Sequence, residues 1–95
     1  MIISFEPSGY SFLDDDTFVV FCEWTKNINK HGEPMFCEIE AELHLDTKDE
    51  FIGINFFDYN GEFVDCIDAL KELTEDECQE VLTMLYNEYG KAKRQ

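Results

Sequence analysis

The sequence predicts an α+β domain of two layers, in which an antiparallel meander of four to five strands precedes one main C-terminal helix packed on the sheet. Two observations carry this prediction. Apolar and polar residues alternate over Met35–Leu45, and a period of two is typical of a strand with one buried face. After Ile67 the apolar residues recur at spacings of three and four, which is typical of an amphipathic helix.

Two strands are predicted before Met35–Leu45. The first is Ile2–Glu6, which Pro7-Ser8-Gly9 interrupts and Tyr10–Leu13 resumes. The second is Thr17–Thr25, and because both of its faces are largely apolar at the start, we expect it to be central. We also expect its second face to be partly covered, most simply by a helix.

The predicted turns around these strands are polar. Asp14-Asp15-Asp16 forms the first turn, since short acidic side chains bond nearby backbone groups. The segment from Lys26 to Pro34 is a polar loop that we interpret as a hairpin tip. Met35–Leu45 then supplies an inner and an outer face. The inner face is Met35, Cys37, Ile39, Ala41, Leu43 and Leu45, and the outer face is Phe36, Glu38, Glu40, Glu42 and His44.

A second hairpin follows. Asp46 to Glu50 predicts a turn, and Phe51 to Phe57 predicts the next strand. Asp58-Tyr59-Asn60-Gly61 is a strong hairpin signal, because Asn and Gly adopt positive φ at little cost. Glu62 to Cys66 returns as a short strand.

The last predicted element is a helix of about four turns. Residues 67–73 are interpreted as one or two helical turns or a tight connection. Thr74 and Glu77 form a capping box. Gly90 is predicted to end the helix at C′. Residues 1–90 thus make one domain, and residues 91–95 make a frayed basic tail.

The charge of the chain restricts its partners. It has 22 acidic residues against seven basic ones, a net charge of −15, and three of the basic residues are in the last five positions. Such a surface repels nucleic acid phosphates and anionic lipids and attracts basic proteins and cations. We therefore expect neither direct nucleic acid binding nor membrane binding. The alternative is that the acidity serves solubility alone.

The predicted compartment is the cytoplasm. The N-terminal segment from Met1 to Pro7 has no basic region and no sustained apolar run of the kind found in signal peptides. The longest unbroken apolar run, Phe18 to Cys22, is far too short to span a bilayer.

The four cysteines are expected to be reduced, because thiols stay reduced in the cytosol. We therefore expect buried thiols rather than disulfides or a metal site at Cys22, Cys37, Cys66 and Cys78.

No cofactor, metal or catalytic set is predicted. Asp58, Asn60 and Glu62 are spaced like the start of a calcium loop, but Phe63 and Ala69 stand where that loop needs Gly and Glu. A zinc site would need His31 and His44 together with Cys22 and Cys37, and His44 faces away from Cys37 on the same strand. His44 shares its strand face with no Ser or Cys, and the chain has one Arg and no glycine-rich phosphate loop. These patterns argue against an enzyme, and a small enzyme or metal protein remains the third hypothesis.

The acidic residues form two candidate partner-binding groups. Glu38, Glu40 and Glu42 repeat along one strand face at roughly 6.5–7 Å, the same order as successive phosphates on a nucleic acid strand. Glu23 joins this face if the hairpin register allows, and Phe36 begins it. The second group lies on the helix, at Glu77, Glu80 and Glu88, with Asp76 nearby.

These groups favour a non-catalytic inhibitor that occupies the basic groove of a nucleic-acid-handling protein as a nucleic-acid mimic. In size, charge and compactness the whole chain resembles small acidic inhibitors made by phages and other mobile elements, including anti-CRISPR and anti-restriction proteins. That resemblance involves no signature residue, and it implies inhibition of a nucleic-acid-binding site. The alternative is a structural or adaptor subunit that binds a partner, or itself as a homodimer, through Phe36, Phe57, Val19 and Phe21.

Overall fold

Five strands pair in chain order, each antiparallel to the next, in a computed structural model that describes residues 5–24 and 36–93. A 3₁₀ turn and one helix follow the sheet. The predicted meander and the predicted α+β class are both confirmed. The elements are β1 (Pro7–Asp14), β2 (Thr17–Trp24), β3 (Phe36–His44), β4 (Glu50–Phe57), β5 (Phe63–Asp68), the 3₁₀ turn Ala69–Lys71 and α1 (Glu75–Lys93).

The core lies between α1 and one face of the sheet. Strand β3 is the third of five, as expected, and its buried side chains alternate with half-buried ones along the strand. The helix contributes Cys78, Val81, Met84 and Leu85 to the core. The strands contribute Phe18, Val20, Cys22, Cys37, Ile39, Ala41, Leu43, Ile54 and Phe56.

Local chemistry places the turns and the start of the helix where the sequence predicts them. The Asp14 carboxylate accepts a hydrogen bond from the Asp16 N–H at 2.8 Å. Gly61 has φ +79°, which its lack of a Cβ permits, and its N–H donates to the Asp58 carbonyl. Thr74 and Glu77 close the capping box, with hydrogen bonds of 3.0 and 3.2 Å between each side chain and the other's N–H.

The predicted break at Pro7–Gly9 is wrong. Strand β1 begins at Pro7 and continues to Asp14, with a register shift between Pro7 and Gly9 where the break was expected. Ser8 donates its hydroxyl to the Phe21 carbonyl at 3.1 Å. An edge strand tolerates proline because one side of its backbone is not paired within the sheet, and a bulge absorbs the irregular pairing. Residues 1–4, which include most of the predicted first strand, lie outside the described residues.

The predicted helix end at Gly90 is also wrong, since α1 continues to Lys93. A glycine inside a helix costs about 1 kcal/mol relative to alanine, which neighbouring contacts can offset. Ala92 packs against the core, and the Lys91 ammonium lies 3.4 Å from the Glu88 carboxylate. These two contacts extend the helix into the segment that the sequence predicts as a frayed tail.

Two strand boundaries and the cover of β2 differ from expectation. Glu50 belongs to β4 rather than to the turn before it, and β5 runs from Phe63 to Asp68. The helix covers the face of β2 that carries Phe18 and Val20. The opposite face of β2, which carries Val19 and Phe21, is the one that we expected a helix to cover. Val19 on that second face is nevertheless fully buried, between Ser11 and Glu42 in the sheet register. The predicted loop from Lys26 to Pro34, together with Met35, lies outside the described residues.

No helix among the described residues is long and apolar enough to cross a lipid bilayer.

Candidate protein-binding face

The sheet has a second face, opposite α1, which no helix or strand of the described residues covers. We call it the open face. The alternation of β3 places Glu38, Glu40 and Glu42 on it, because Cys37, Ile39 and Ala41 pack toward the helix. Register with β3 adds side chains from the neighbouring strands. On strands β2 to β5 the open face consists of Thr17, Val19, Phe21 and Glu23 on β2, Phe36, Glu38, Glu40, Glu42 and His44 on β3, Phe51, Gly53, Asn55 and Phe57 on β4, and Phe63, Cys66 and Asp68 on β5.

The three glutamates of β3 form the centre of this face, and we call them the glutamate row. All three are half-buried. Glu38 is paired directly with Glu23 on β2, so the register brings Glu23 to the same face as the row. Like charges directly opposite each other on neighbouring strands destabilise a sheet. Within residues 5–24 and 36–93, no lysine forms an ion pair with these four carboxylates.

Asn55 supports two members of the row. It is paired with Glu38 across β3 and β4, and its side chain is only 8% exposed. The Asn55 side chain hydrogen-bonds to both Glu38 and Glu40, which lowers the pKa of each carboxyl. Since carboxylates only accept, the Asn55 amide group is the donor to both. One buried amide thus joins two neighbouring anions.

The pKa of both carboxyls is nevertheless raised overall. Burial is the largest cause at Glu38, followed by the charges of Glu40 and Glu23. At Glu40 the largest cause is again burial, followed by the charge of Glu42. Burial and like charges both disfavour the ionised form. The row is therefore an anionic strip held in partly dehydrated surroundings rather than a set of fully solvated surface charges.

Aromatic rings flank Glu40 on both sides. Phe21 is its direct partner on β2, and directly paired side chains on one face have Cβ atoms about 4.5–5.5 Å apart. Its partner on β4 is Gly53, which has no side chain. The ring of Phe51 fills that position, because a Cβ at Gly53 would lie 2.9 Å from the Phe51 Cε1. Phe21 and Phe51 therefore stand on the two sides of Glu40, and we call this group of three residues the slot.

A second group of rings lies at one end of the open face. Phe36 is paired with Phe57, and Phe57 is paired with Phe63. The rings of Phe57 and Phe63 meet edge to face at 6.1 Å between centroids. Phe36 is 67% exposed and Phe63 is 61% exposed. We call these three residues the phenylalanine row, and its exposed apolar surface directly adjoins Glu38.

The acidic residues of the helix are not part of this face. Glu77 and Glu80 lie on α1, on the other side of the sheet from the glutamate row. Glu77 is engaged in the capping box, and Glu88 pairs with Lys91. Glu80 has a buried Oε2 atom with no hydrogen-bond partner among the described residues. A flat partner surface that touches the glutamate row cannot touch these side chains as well.

The cysteines are free thiols, and the expectation that all four are buried fails at Cys66. Cys22, Cys37 and Cys78 are buried, whereas Cys66 is exposed on the open face, opposite Asn55. Burial is the first cause that raises the pKa of the Cys66 thiol, and the charges of Glu40, Asp65 and Glu42 raise it further. A raised pKa favours the thiol over the nucleophilic thiolate.

The described residues contain no group of three or more His, Cys, Asp or Glu side chains placed to hold a metal ion. Asp58 accepts hydrogen bonds from the N–H groups of Asn60 and Glu62, each at 2.9 Å, as a turn residue does. His44 lies on the open face, while Cys22 and Cys37 lie in the core on the other face, and His31 is outside the described residues. A cavity of about 220 Å³ lies between β4, the 3₁₀ turn and α1. Its lining is Glu50, Phe51, Ile52, Asp68, Ala69, Leu70, Cys78 and Leu82. Ligand pockets are usually about 300–1,000 Å³.

Sequence reasoning assigned no binding role to Phe51 and Cys66, and it missed three further members of the open face. Asn55 is a polar residue in an otherwise apolar strand, and that isolated polarity was the available signal. Gly53 was visible as a glycine within a strand, which often marks a close approach. The third, Phe63, lies next to the hairpin and reaches this face through the register shift between Phe56 and Phe57.

Comparison of the chain with protein-family models, with curated proteins and with solved structures finds no match.

Proposed function

We propose that the protein is a non-catalytic inhibitor that binds a basic, nucleic-acid-handling protein through its open face. The observation that carries this proposal is the glutamate row, with Glu23 beside it and no ion-paired lysine among the described residues. The row presents anions at roughly 6.5–7 Å intervals along an extended strand. A groove that binds a nucleic acid backbone has cations at comparable intervals, so the row acts there as a nucleic-acid mimic.

The energetics of the open face support a binding role. The direct pairing of Glu23 with Glu38 disfavours folding, and the pKa of Glu38 and of Glu40 is raised, so both ionise at a cost to the folded state. Solubility does not require carboxylates in partly buried positions, since exposed ones serve it equally well. Cations of a partner would relieve the repulsion, and that relief adds to affinity.

The net charge of −15 supports the same class of partner. It accelerates association with a basic surface and disfavours association with nucleic acid itself. Small size and high acidity are also the features that the chain shares with phage-type inhibitors such as anti-CRISPR and anti-restriction proteins. We include that biological setting in the proposal.

The test is a competition assay with a panel of purified DNA- and RNA-binding proteins. The expected result is that the protein displaces labelled nucleic acid from at least one member, with an affinity that falls as salt is raised. The variant Glu38→Gln, Glu40→Gln, Glu42→Gln should lose this inhibition.

The matched control removes the same charge elsewhere. Glu6, Glu62 and Glu75 are exposed and belong to none of the strands, so Glu6→Gln, Glu62→Gln, Glu75→Gln should retain inhibition at equal net charge. Equal loss of inhibition in both triple variants would show that only total charge matters. Inhibition that survives both high salt and the loss of the row would contradict the proposal.

The phenylalanine row supports a second candidate function, an adaptor or homodimer that binds through apolar surface. Phe36 and Phe63 are exposed on the two sides of Phe57, across three neighbouring strands, and exposed aromatic clusters mark interfaces. Light scattering at several salt concentrations separates the two functions. A dimer that persists at low and high salt, and that Phe36→Ser abolishes, supports the adaptor. A monomer at high protein concentration contradicts self-association.

A further inference from the structure

We infer that the open face selects arginine over lysine in its partner, through the slot formed by Phe21, Glu40 and Phe51. This inference rests on the proposed function, because it specifies the chemistry of the basic partner that binds the same face. It assigns to Glu40 the central role in the glutamate row. The occupant is an arginine-bearing segment of a protein.

The first step is the shape of the slot. Phe21 stands on one side of Glu40 by direct pairing, and Phe51 stands on the other because Gly53 has no side chain to exclude its ring. Gly53 is thus required for the second wall. A planar guanidinium can stack against an aromatic ring, whereas an ammonium is a compact, strongly hydrated point charge.

The second step is the carboxylate between the walls. Asn55 is paired with Glu38 across β3 and β4, and its side chain lowers the pKa of both Glu38 and Glu40 by hydrogen bonding. A carboxylate can accept two parallel hydrogen bonds from one guanidinium, and this bidentate geometry is specific to arginine. The remaining donors of the guanidinium then point along the row toward the neighbouring glutamates. An ammonium has no planar fork to match.

Glu40 differs from Glu38 and Glu42 in the residues that lie beside it. Glu38 has Asn55 on one side and Glu23 on the other, and therefore no aromatic partner in register. Glu42 has Phe51 on one side and Val19, fully buried, on the other. Glu40 is therefore the row position with aromatic rings on both sides. Arginine selectivity is expected to depend on it.

The experiment measures binding of two probes, nona-arginine and nona-lysine peptides, to the folded protein by fluorescence anisotropy at 0.15 M salt. We expect nona-arginine to bind about five- to tenfold more tightly, as stacking on two rings implies. In the variant Phe21→Leu, Phe51→Leu this ratio should fall by at least about threefold, while nona-lysine affinity stays unchanged. Glu40→Gln should weaken nona-arginine binding more than Glu62→Gln does.

Equal affinity for the two peptides, or an unchanged ratio in the leucine variant, would overturn the inference. A measurement on the unaltered protein keeps it testable if the variants unfold. The ring protons of Phe21 and Phe51 should shift in NMR spectra on addition of nona-arginine and not of nona-lysine, and the absence of this difference would overturn it as well.

The failure of the inference can be told apart from the failure of the proposed function. If the glutamate row inhibits a nucleic-acid-binding protein and the peptides bind equally, the slot is refuted and the inhibitor stands. If the peptides are discriminated and the leucine variant loses the discrimination, the slot is supported. That support holds even if no protein of the panel is inhibited, a result that would refute the inhibitor alone.

Discussion

Glu38 is the residue at which the conflict between folding and binding can be measured. Its carboxyl is paired with Glu23, adjoins Glu40, and has a raised pKa caused first by burial and then by these two charges. A carboxyl with a raised pKa in the folded state destabilises the fold when it ionises. The cost is absent below the unfolded pKa, about 4.3, and complete above the folded pKa. At neutral pH the folded state therefore bears the full free-energy cost of ionising Glu38.

Glu38→Gln is expected to increase the free energy of unfolding at pH 7 by about 0.5 kcal/mol, the size of one like-charge pair across strands. The gain should shrink as pH falls through the raised folded-state pKa of Glu38, because the wild-type carboxyl then becomes protonated. Urea unfolding followed by circular dichroism measures this gain in the free energy of unfolding. The protein is kept at micromolar concentration, because the pH range approaches its pI of about 4.1, where proteins tend to associate. Glu62→Gln in the exposed turn is the control without a gain. Destabilisation by Glu38→Gln would show that the bond from Asn55 outweighs the repulsion.

The same residues show what sequence can and cannot predict at this scale. A period of two is enough to put Glu38, Glu40 and Glu42 on one face, since strand geometry fixes alternation. The slot around Glu40 was not predictable, because it depends on which residues of β2 and β4 lie opposite. Register is a property of paired strands, and the sequence between β2 and β3, residues 25–35, is too long for a two-residue hairpin turn to fix it.

At the scale of elements, α1 begins with an interaction that the sequence predicts correctly. Thr74 and Glu77 exchange hydrogen bonds across the first turn, which satisfies two N–H groups that have no partner within the helix. Thr83 lies within the same helix and donates its hydroxyl to the Gln79 carbonyl at 3.0 Å. Such a bond within a helix adds little stability, since that carbonyl already accepts from the backbone.

Thr74→Ala is therefore expected to destabilise the protein by about 1 kcal/mol, the usual cost of losing an N-cap. The matched control is Thr83→Ala, the same substitution in the same helix. It should be neutral or stabilising by a few tenths of a kcal/mol, because alanine has the higher helix propensity. Thermal or urea unfolding of both variants gives the comparison. Equal effects at the two positions would mean that the capping box contributes nothing to stability.

The two ends of the fold were predicted less well than the start of the helix. A capping box is local, so a few residues of sequence are enough to recognise it. Whether Pro7 starts a strand depends on pairing with β2, and whether the helix passes Gly90 depends on the packing of Ala92. Contacts between distant parts of the chain decide both boundaries, and local propensity opposes each of them.

At the scale of the molecule, the side of the sheet that the helix covers decides what the acidity can do. The sequence leaves this choice open, because β2 is apolar on both faces at its start. The structure places α1 over Phe18 and Val20, which leaves the glutamate row on the open face. The charge of the molecule is thus not uniform around the sheet. Half-buried carboxylates lie on both sides, at Glu38, Glu40 and Glu42 on the open face and at Glu77, Glu80 and Glu88 on α1, but only those of the glutamate row follow one another along a strand. Salt screens exposed charges more effectively than buried ones.

Self-repulsion at a net charge of −15 destabilises the compact state, so added NaCl is expected to stabilise the protein. A gain of about 1 kcal/mol between 0.05 and 0.5 M NaCl would raise Tm by roughly 4–8 °C.

The comparison between the two triple variants locates the repulsion. Glu38→Gln, Glu40→Gln, Glu42→Gln should raise Tm at low salt more than Glu6→Gln, Glu62→Gln, Glu75→Gln does, although both remove three charges. Removal of closely spaced, partly buried anions relieves more repulsion than removal of scattered, solvated ones. Identical Tm values in the two variants at low salt would mean that the repulsion is spread over the whole surface and that the glutamate row carries no special share of it.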